Sequence, residues 1–258
     1  MTESGGVYEH PGYYDIAFSF RDIPSEVNVF EECFRRYSRI RVRDVLELAC
    51  GTAPHLEELA SRGYRYSGLD TSPEMIAFTR KRAERVGIDA AFYDADMCSF
   101  AVTRPVDFAY TMCGSLYART TDDVLSHLAS VAGALKQGGL YLLDWCINFE
   151  WCAPVRDDQE WSIEREGVKV TFSFKMEIVD RAAQLTNHRL SLDVDDHGRQ
   201  LHLESTDTTR VVLPQEFLLL VDKSGVFEFL GWWNNWNLDE PLEGAQKIDR
   251  PITLIRRL

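Results

Sequence analysis

The most restrictive stretch of this 258-residue chain is Leu46-Glu47-Leu48-Ala49-Cys50-Gly51-Thr52-Ala53-Pro54, with Asp70 following 19 residues after Gly51. An apolar run ends in a small-residue turn and passes into a short helical pattern around Leu56 and Leu59. A second run, Arg65 to Asp70, ends on the acid. Strand, tight turn, helix, strand, acid is the opening of a parallel α/β sheet, whose ligands bind at the carboxyl ends of the strands. An acid there is placed to accept two ribose hydroxyls. A dinucleotide site wants G-x-G-x-x-G, so that backbone can approach a pyrophosphate. Here those positions read Ala49, Gly51 and Pro54, and Pro54 has no N–H to offer. The pattern predicts a ligand with ribose and without pyrophosphate.

The rest of the chain extends this sheet. Val27, Phe30, Phe34 and Tyr37 predict an amphipathic helix over 25–39. Ser72-Pro73-Glu74 is a strong helix start, with Ser as N-cap and Pro in the first turn, and the helix runs to about Val86. Short strands are predicted over 90–93, 106–111 and 140–145. A helix from Thr121 to Lys136 lies between the last two, and Gly138-Gly139 is expected to terminate it. The periodicity then changes. Val168, Val170, Phe172, Phe174, Met176 and Ile178 alternate with mostly polar neighbours, Leu190, Leu192 and Val194 repeat the habit, and so do Leu201 and Leu203. Asp195-Asp196-His197-Gly198 is a turn candidate. This predicts an antiparallel meander with one buried face. A helix over 214–224, with Phe217, Leu218 and Val221 inward, and strands over 227–233 and 252–257 close the chain. The expected fold is α/β: a doubly wound, seven-stranded, mostly parallel sheet, Rossmann-like, interrupted by an antiparallel β lid. Residues 1–151 form an N-terminal helical cap and core, 152–213 the lid, and 214–258 the return to the core.

Composition narrows the partners. Hydrophobic residues make up 45% and charged residues 27%, which fits an ordinary globular protein. The net charge of −13 argues against stable nucleic acid or an anionic membrane, both of which need clustered Lys and Arg. There is no apolar run of membrane-spanning length and no basic-then-apolar leader in Met1 to Gly6, so a cytoplasmic location is expected. Cys33, Cys50, Cys98, Cys113, Cys146 and Cys152 form no C-x-x-C pair. They are expected to be buried free thiols with no metal.

Five ordered segments resemble class I S-adenosylmethionine-dependent methyltransferases. Glu47 to Ala53 resembles the family's first motif, E/D-h-G/A-C-G-T-G, with Ala53-Pro54 departing from the second loop glycine. Gly68-Leu69-Asp70-Thr71-Ser72-Pro73-Glu74-Met75 is similar to the second, Asp94-Ala95-Asp96-Met97 to the third, and Met112-Cys113-Gly114-Ser115-Leu116 to the fourth. Leu135-Lys136-Gln137-Gly138-Gly139-Leu140 resembles the L-K-P-G-G step, with Gln137 in place of proline. The resemblance implies S-adenosylmethionine as cofactor and S-adenosylhomocysteine as product. It implies a loop site at Glu47, Ala49, Cys50, Gly51 and Thr52, and ribose at Asp70 and Thr71. Adenine would lie between Met75 and Met97, with its amino group on Asp96. The methionyl part would lie beside Met112, Cys113 and Ser115.

Tyr13-Tyr14-Asp15-Ile16-Ala17-Phe18 with Arg21 further resembles small-molecule methyltransferases, notably deoxysugar amine N-methyltransferases. It implies that Tyr14 closes over the cofactor and that Arg21 pairs with the methionyl carboxylate. A surface pair of Arg21 with Asp22 or Glu26 is the plainer alternative.

Methyl transfer is an in-line displacement in which alignment and exclusion of water dominate, so few catalytic side chains are expected. Tyr14 and His188 are the candidates, and His188 shares parity with Leu190 and Leu192. His202 reads as solvent-facing and His55 as a residue of a helix surface. Trp232, Trp233 and Trp236 would either face the acceptor or pack. The expected partner is a small-molecule acceptor methylated on nitrogen or oxygen, with a homodimer compatible. A tRNA or protein methyltransferase and a non-catalytic cofactor-binding protein stay as alternatives.

Overall fold

The computed structural model describes residues 3–150 and 159–258. In chain order the elements are β1 (Glu3–Gly5), one 3-10 turn (Val7–Glu9), α1 (Pro11–Ala17), α2 (Ile23–Tyr37), β2 (Asp44–Leu48), α3 (Leu56–Ser61), β3 (Arg65–Asp70), α4 (Pro73–Val86), β4 (Ala91–Asp94), β5 (Val106–Thr111), α5 (Thr121–Ala134), β6 (Leu135–Asp144), β7 (Gln159–Arg165), β8 (Val168–Asp180), β9 (Leu185–Asp196), β10 (Arg199–Arg210), α6 (Pro214–Ser224), β11 (Phe227–Trp233) and β12 (Ile252–Arg257). No helix among the described residues is long and apolar enough to cross a membrane.

Seven strands form the main sheet in the order β11-β12-β6-β5-β2-β3-β4. The run β6 to β4 is parallel, and β12 pairs antiparallel with both β6 and β11. The fully buried runs of β2 and β5 are what a sheet covered on both faces requires. Leu56 and Leu59 of α3, Ile76 of α4 and Phe30 of α2 pack on one face. Val124, Leu128 and Val131 of α5 and Phe217, Leu220 and Val221 of α6 pack on the other. Leu220 takes the inward place expected of Leu218, which is only half-buried. Chain direction across the sheet reverses between β2 and β5. Their carboxyl-end loops therefore diverge and open a crevice.

Helix starts follow their caps. The Asp22 side chain accepts from Ser25 N (3.1 Å), and Ser72 Oγ accepts from Met75 N (3.2 Å). Gly87, at φ 70°, closes α4. The end of α5 differs from expectation. The helix stops at Ala134, and the chain enters β6 at once. Gly138 and Gly139 lie inside that strand, where a register shift sets one extra turn of chain against Asp107. Gly138 is left-handed (φ 82°), and a Cβ on Gly139 would meet the Asp107 carbonyl oxygen at 2.7 Å. The glycines serve a bulge, not a helix cap.

The second sheet has the order β1-β10-β9-β8-β7. Strands β7 to β10 are an antiparallel meander, as the alternation predicts. The β9–β10 turn is the His197-Gly198 pair, both left-handed (φ 52° and 90°). Two strands have no counterpart in the periodicity reading: β7, and β1, which adds parallel to β10 from the N-terminus. Phe172, Leu190, Leu192 and Leu203 line this sheet's buried face, and it packs on Ile16 and Ala17 of α1.

Candidate active site

Beyond Leu48 the chain turns through Ala49, Gly51 and Ala53, all left-handed at φ near +51°. Ala53 takes a left-handed conformation that favours glycine, so the loop stores strain at two alanines. Cys50 N bonds Leu69 O (2.9 Å) and stitches the loop to β3. Asp70 Oδ2 accepts from Gly51 N (2.8 Å), and Asp70 Oδ1 accepts from Ser72 N (2.9 Å). The acid therefore sits between the loop and the start of α4, behind the cavity lining that Gly51 forms. Burial raises its pKa, against the lowering by these N–H donors.

A cavity of about 220 Å³ opens beside this loop. Tyr14, Arg21, Glu47, Ala49, Cys50, Gly51, Thr52, Met112, Cys113 and Ser115 all line it. Tyr14 stacks on Phe18, with ring centroids 4.6 Å apart. Burial pushes the Tyr14 phenol well above its ordinary range. Cys113 is left-handed (φ 54°) and exposed, contrary to the expectation of buried thiols, and its N–H donates to Asp144 Oδ2 (2.9 Å). Cys33 and Cys50 are buried as expected, and Cys152 lies outside the described residues.

Below the cavity lies a connected set of charges. Arg21 grips Glu26 through Nε (3.2 Å) and Nη2 (2.5 Å), and its side chain is only 9% exposed. The pair with Glu26 exists, but it is buried, with Arg21 lining the cavity and Glu26 behind it, not a surface contact. His55 is wholly buried, not on a helix surface. Its Nε2 lies 2.8 Å from Glu26 Oε2, and its Nδ1 lies 3.1 Å from Glu47 Oε1. Glu47 Oε2 also accepts from Tyr66 (2.5 Å) and Tyr110 (3.1 Å). Arg250 Nη1 donates to Glu26 Oε1 (2.8 Å), and its Nη2 donates to Asp144 Oδ2 (2.9 Å). Trp236 Nε1–H donates to Asp144 Oδ1 (2.8 Å), and its ring carries the Arg250 guanidinium at 4.5 Å. Burial alone would raise Glu26, but His55, Arg21 and Arg250 hold it well below the usual carboxylate range. Glu26, Asp144 and Arg250 are not among the sequence candidates for the site. An acid in a first helical turn and an Arg before a strand look like surface residues in a sequence.

Other predicted residues lie outside the cavity wall. Met75 and Met97 are buried in the apolar interior, and Thr71 is exposed. Asp96 is exposed, and its Oδ1 accepts from Cys98 N (2.8 Å). His188 stands on β9 of the second sheet, edge-on to Phe174 (5.3 Å), with Nε2 3.3 Å from Thr186 Oγ1. Burial lowers its pKa to about 4. His202 is solvent-facing as expected and pairs with Asp193 (2.7 Å). The tryptophans separate: Trp233 packs on Tyr37 (5.2 Å), Trp232 on Phe149 (5.4 Å), and Trp236 alone reaches the charge network.

Residues 45–139 match the family model described as a methyltransferase domain. Among curated proteins, the chain is similar to the dTDP-3-amino-3,4,6-trideoxy-alpha-D-glucopyranose N,N-dimethyltransferase of Streptomyces venezuelae. The two are 28% identical over 139 residues, 53% of this chain and 56% of that protein. The chain spans about half the length of the curated relatives it matches. Two solved structures share its fold across nearly the whole chain. An S-adenosylmethionine-dependent methyltransferase from Clostridium acetobutylicum has a TM-score of 0.76 at 17% identity, covering 95% of both chains. Streptomyces venezuelae DesVI has a TM-score of 0.75 at 20% identity, covering 96% of this chain and 98% of its own.

Proposed function

We propose that this chain is an S-adenosylmethionine-dependent methyltransferase acting on an amine of a small-molecule acceptor. The observation that carries the reading is the cavity beside the Ala49–Ala53 loop. Its lining carries a fixed pair of opposite charges, Arg21 and Glu47, and Gly51 of that lining donates its N–H to Asp70, the acid at the end of β3 just behind the loop. A ligand with a ribose and a zwitterionic amino-acid end matches both features. A pyrophosphate matches neither, because Pro54 offers no N–H and Glu47 would repel it. On this reading Asp70 holds ribose, Arg21 faces the carboxylate and Glu47 the ammonium of the methionyl group. Thr71, Met75, Asp96 and Met97 form the adenine side, and Tyr14 closes over the sulfur.

The bound cofactor supplies a methyl group on a sulfonium, whose departure leaves a neutral thioether and calls for no general acid. The protein's work is alignment behind that methyl group and exclusion of water. Tyr14 and Phe18 form the apolar cover. The choice between nitrogen and oxygen rests on the absence of a free base along the described cavity wall. Glu47 is occupied by His55, Tyr66 and Tyr110, and Tyr14 stays protonated at neutral pH. An alcohol needs a base to become nucleophilic, whereas an amine needs only to lose its proton to water. The lid over residues 152–213 is taken to cover the acceptor, and the acidic charge of the chain disfavours RNA.

The test uses methyl-labelled S-adenosylmethionine with paired amines and alcohols of the same carbon skeleton, read by mass spectrometry. Label on the amines and none on the matching alcohols is expected. Label on the alcohols alone, or on no small molecule while cofactor binds, would contradict the assignment.

A further inference from the structure

We propose that His55 is a positioning residue, an imidazolium that sets Arg21 and Glu47 at the spacing the cofactor's amino-acid end requires. The 234–251 excursion holds it there from below through Arg250. The inference rests on the functional reading above and adds to it residues that touch no ligand.

Both ring nitrogens of His55 face carboxylate oxygens, Glu26 on α2 and Glu47 on β2. Ionised carboxylates only accept, so both nitrogens must donate, and the ring is doubly protonated. Of the other groups facing it, the Arg21 guanidinium, with Nη2 3.4 Å from Nε2, opposes the charge, while Phe30 and Tyr110 enclose the ring without charge; the two carboxylates bonded directly to the ring outweigh Arg21. Glu26 and Glu47 raise its pKa against the lowering by burial. Charge then closes within the network: Glu26, Glu47 and Asp144 against Arg21, His55 and Arg250. Remove the imidazolium, and two buried carboxylates face each other across a neutral side chain.

The excursion between β11 and β12 supplies the rest. Asn234 N bonds Glu240 O (2.8 Å), and Asn235 N bonds Asp249 O (2.6 Å). The Asn234 side chain bonds Lys247 O (2.9 Å) and Asp249 N (2.8 Å). This tied loop presents Trp236 and Arg250 to Asp144 and delivers the Arg250 guanidinium to Glu26. Glu26 is thus held from three sides, which leaves Arg21 one geometry at the cavity wall. A prepaid arrangement of charges is what lets a zwitterion bind without ordering its site first.

The experiment compares two ligands by calorimetric titration. S-adenosylhomocysteine has the amino-acid end, and 5′-methylthioadenosine has the same nucleoside and sulfur without it. His55→Gln places an amide oxygen against one of the two carboxylates, and Arg250→Gln releases Glu26 from a more exposed position, so it serves if the first variant fails to fold. Each folded variant is expected to lose about 10- to 100-fold in affinity for S-adenosylhomocysteine. Affinity for 5′-methylthioadenosine should stay within about twofold. Equal losses for both ligands, or no loss for either, would overturn the positioning role. A wild-type chain that binds neither ligand would overturn the functional reading, and this inference with it.

Discussion

His127 is wholly buried and uncharged. Its Nδ1–H donates to Met97 O (2.9 Å), and its Nε2 accepts from the Tyr141 hydroxyl (2.8 Å), which lies 2.8 Å from Thr111 Oγ1. The carbonyl can only accept, and that assigns the tautomer. Burial lowers the pKa to about 4, below the unfolded value. The folded state therefore binds fewer protons, so the stabilisation is full above about pH 6.5 and is lost as pH falls toward 4. His127→Gln removes this titration. In urea unfolding, the stability gap between wild type and variant should narrow by about 2–3 kcal/mol from pH 7.5 to 4.5. A constant gap would contradict the assignment. His55 has the opposite sign: its raised pKa gives stabilisation that is present below about pH 6.5 and lost as pH rises through the folded value. Residues such as these were the least legible in the sequence. The loop residues and Asp70 could be read because spacing alone places them at strand ends. His55 looks exposed in the sequence because its partners, Glu26 and Glu47, come from elements 29 and 8 residues away.

At the scale of elements, the second sheet is joined to α1 by aromatic packing. Trp161 of β7 stacks on Phe172 (4.1 Å), meets Phe18 edge-on (5.6 Å) and donates Nε1–H to Ala17 O (2.8 Å). At the far end Thr209 Oγ1 donates to Leu116 O (3.0 Å), beside the crevice. Trp161→Ala should cost about 2–4 kcal/mol and act locally. Amide exchange is expected to quicken in α1 and β7–β8 while β2, β5 and β6 keep their protection. Uniform quickening would show that lid and main sheet open as one unit. Long elements with a clear period were legible: β5, α4, α6, β11 and β12 fall at the residues their patterns indicate. β1 was not, because Glu3-Ser4-Gly5 has no alternation and forms only by adding to β10. The end of α5 is ambiguous in the sequence because a Gly-Gly pair marks both helix caps and bulges, and only the approach of Asp107 O decides between them.

For the whole molecule, the sequence carries a net charge of −13 with histidine counted neutral, whereas the network under the crevice sets Glu26, Glu47 and Asp144 against Arg21, Arg250 and the His55 imidazolium. That separation keeps polyanions away and leaves a neutral, preset floor for a zwitterion. The seven-stranded sheet brings the loop after β2, the acid of β3 and the loop after β5 to one edge, and the second sheet packs on the cap beside them. The central claim is that this edge holds a ribose-bearing sulfur cofactor. Its most direct test is calorimetric titration of the wild-type chain and Asp70→Ala with S-adenosylhomocysteine, with a nicotinamide dinucleotide as control. Single-site binding, competed by S-adenosylmethionine and weakened by about 1–3 kcal/mol in the variant, is the expected result, with no heat from the dinucleotide. Tight dinucleotide binding with none for S-adenosylhomocysteine, or unchanged affinity in Asp70→Ala, would contradict it.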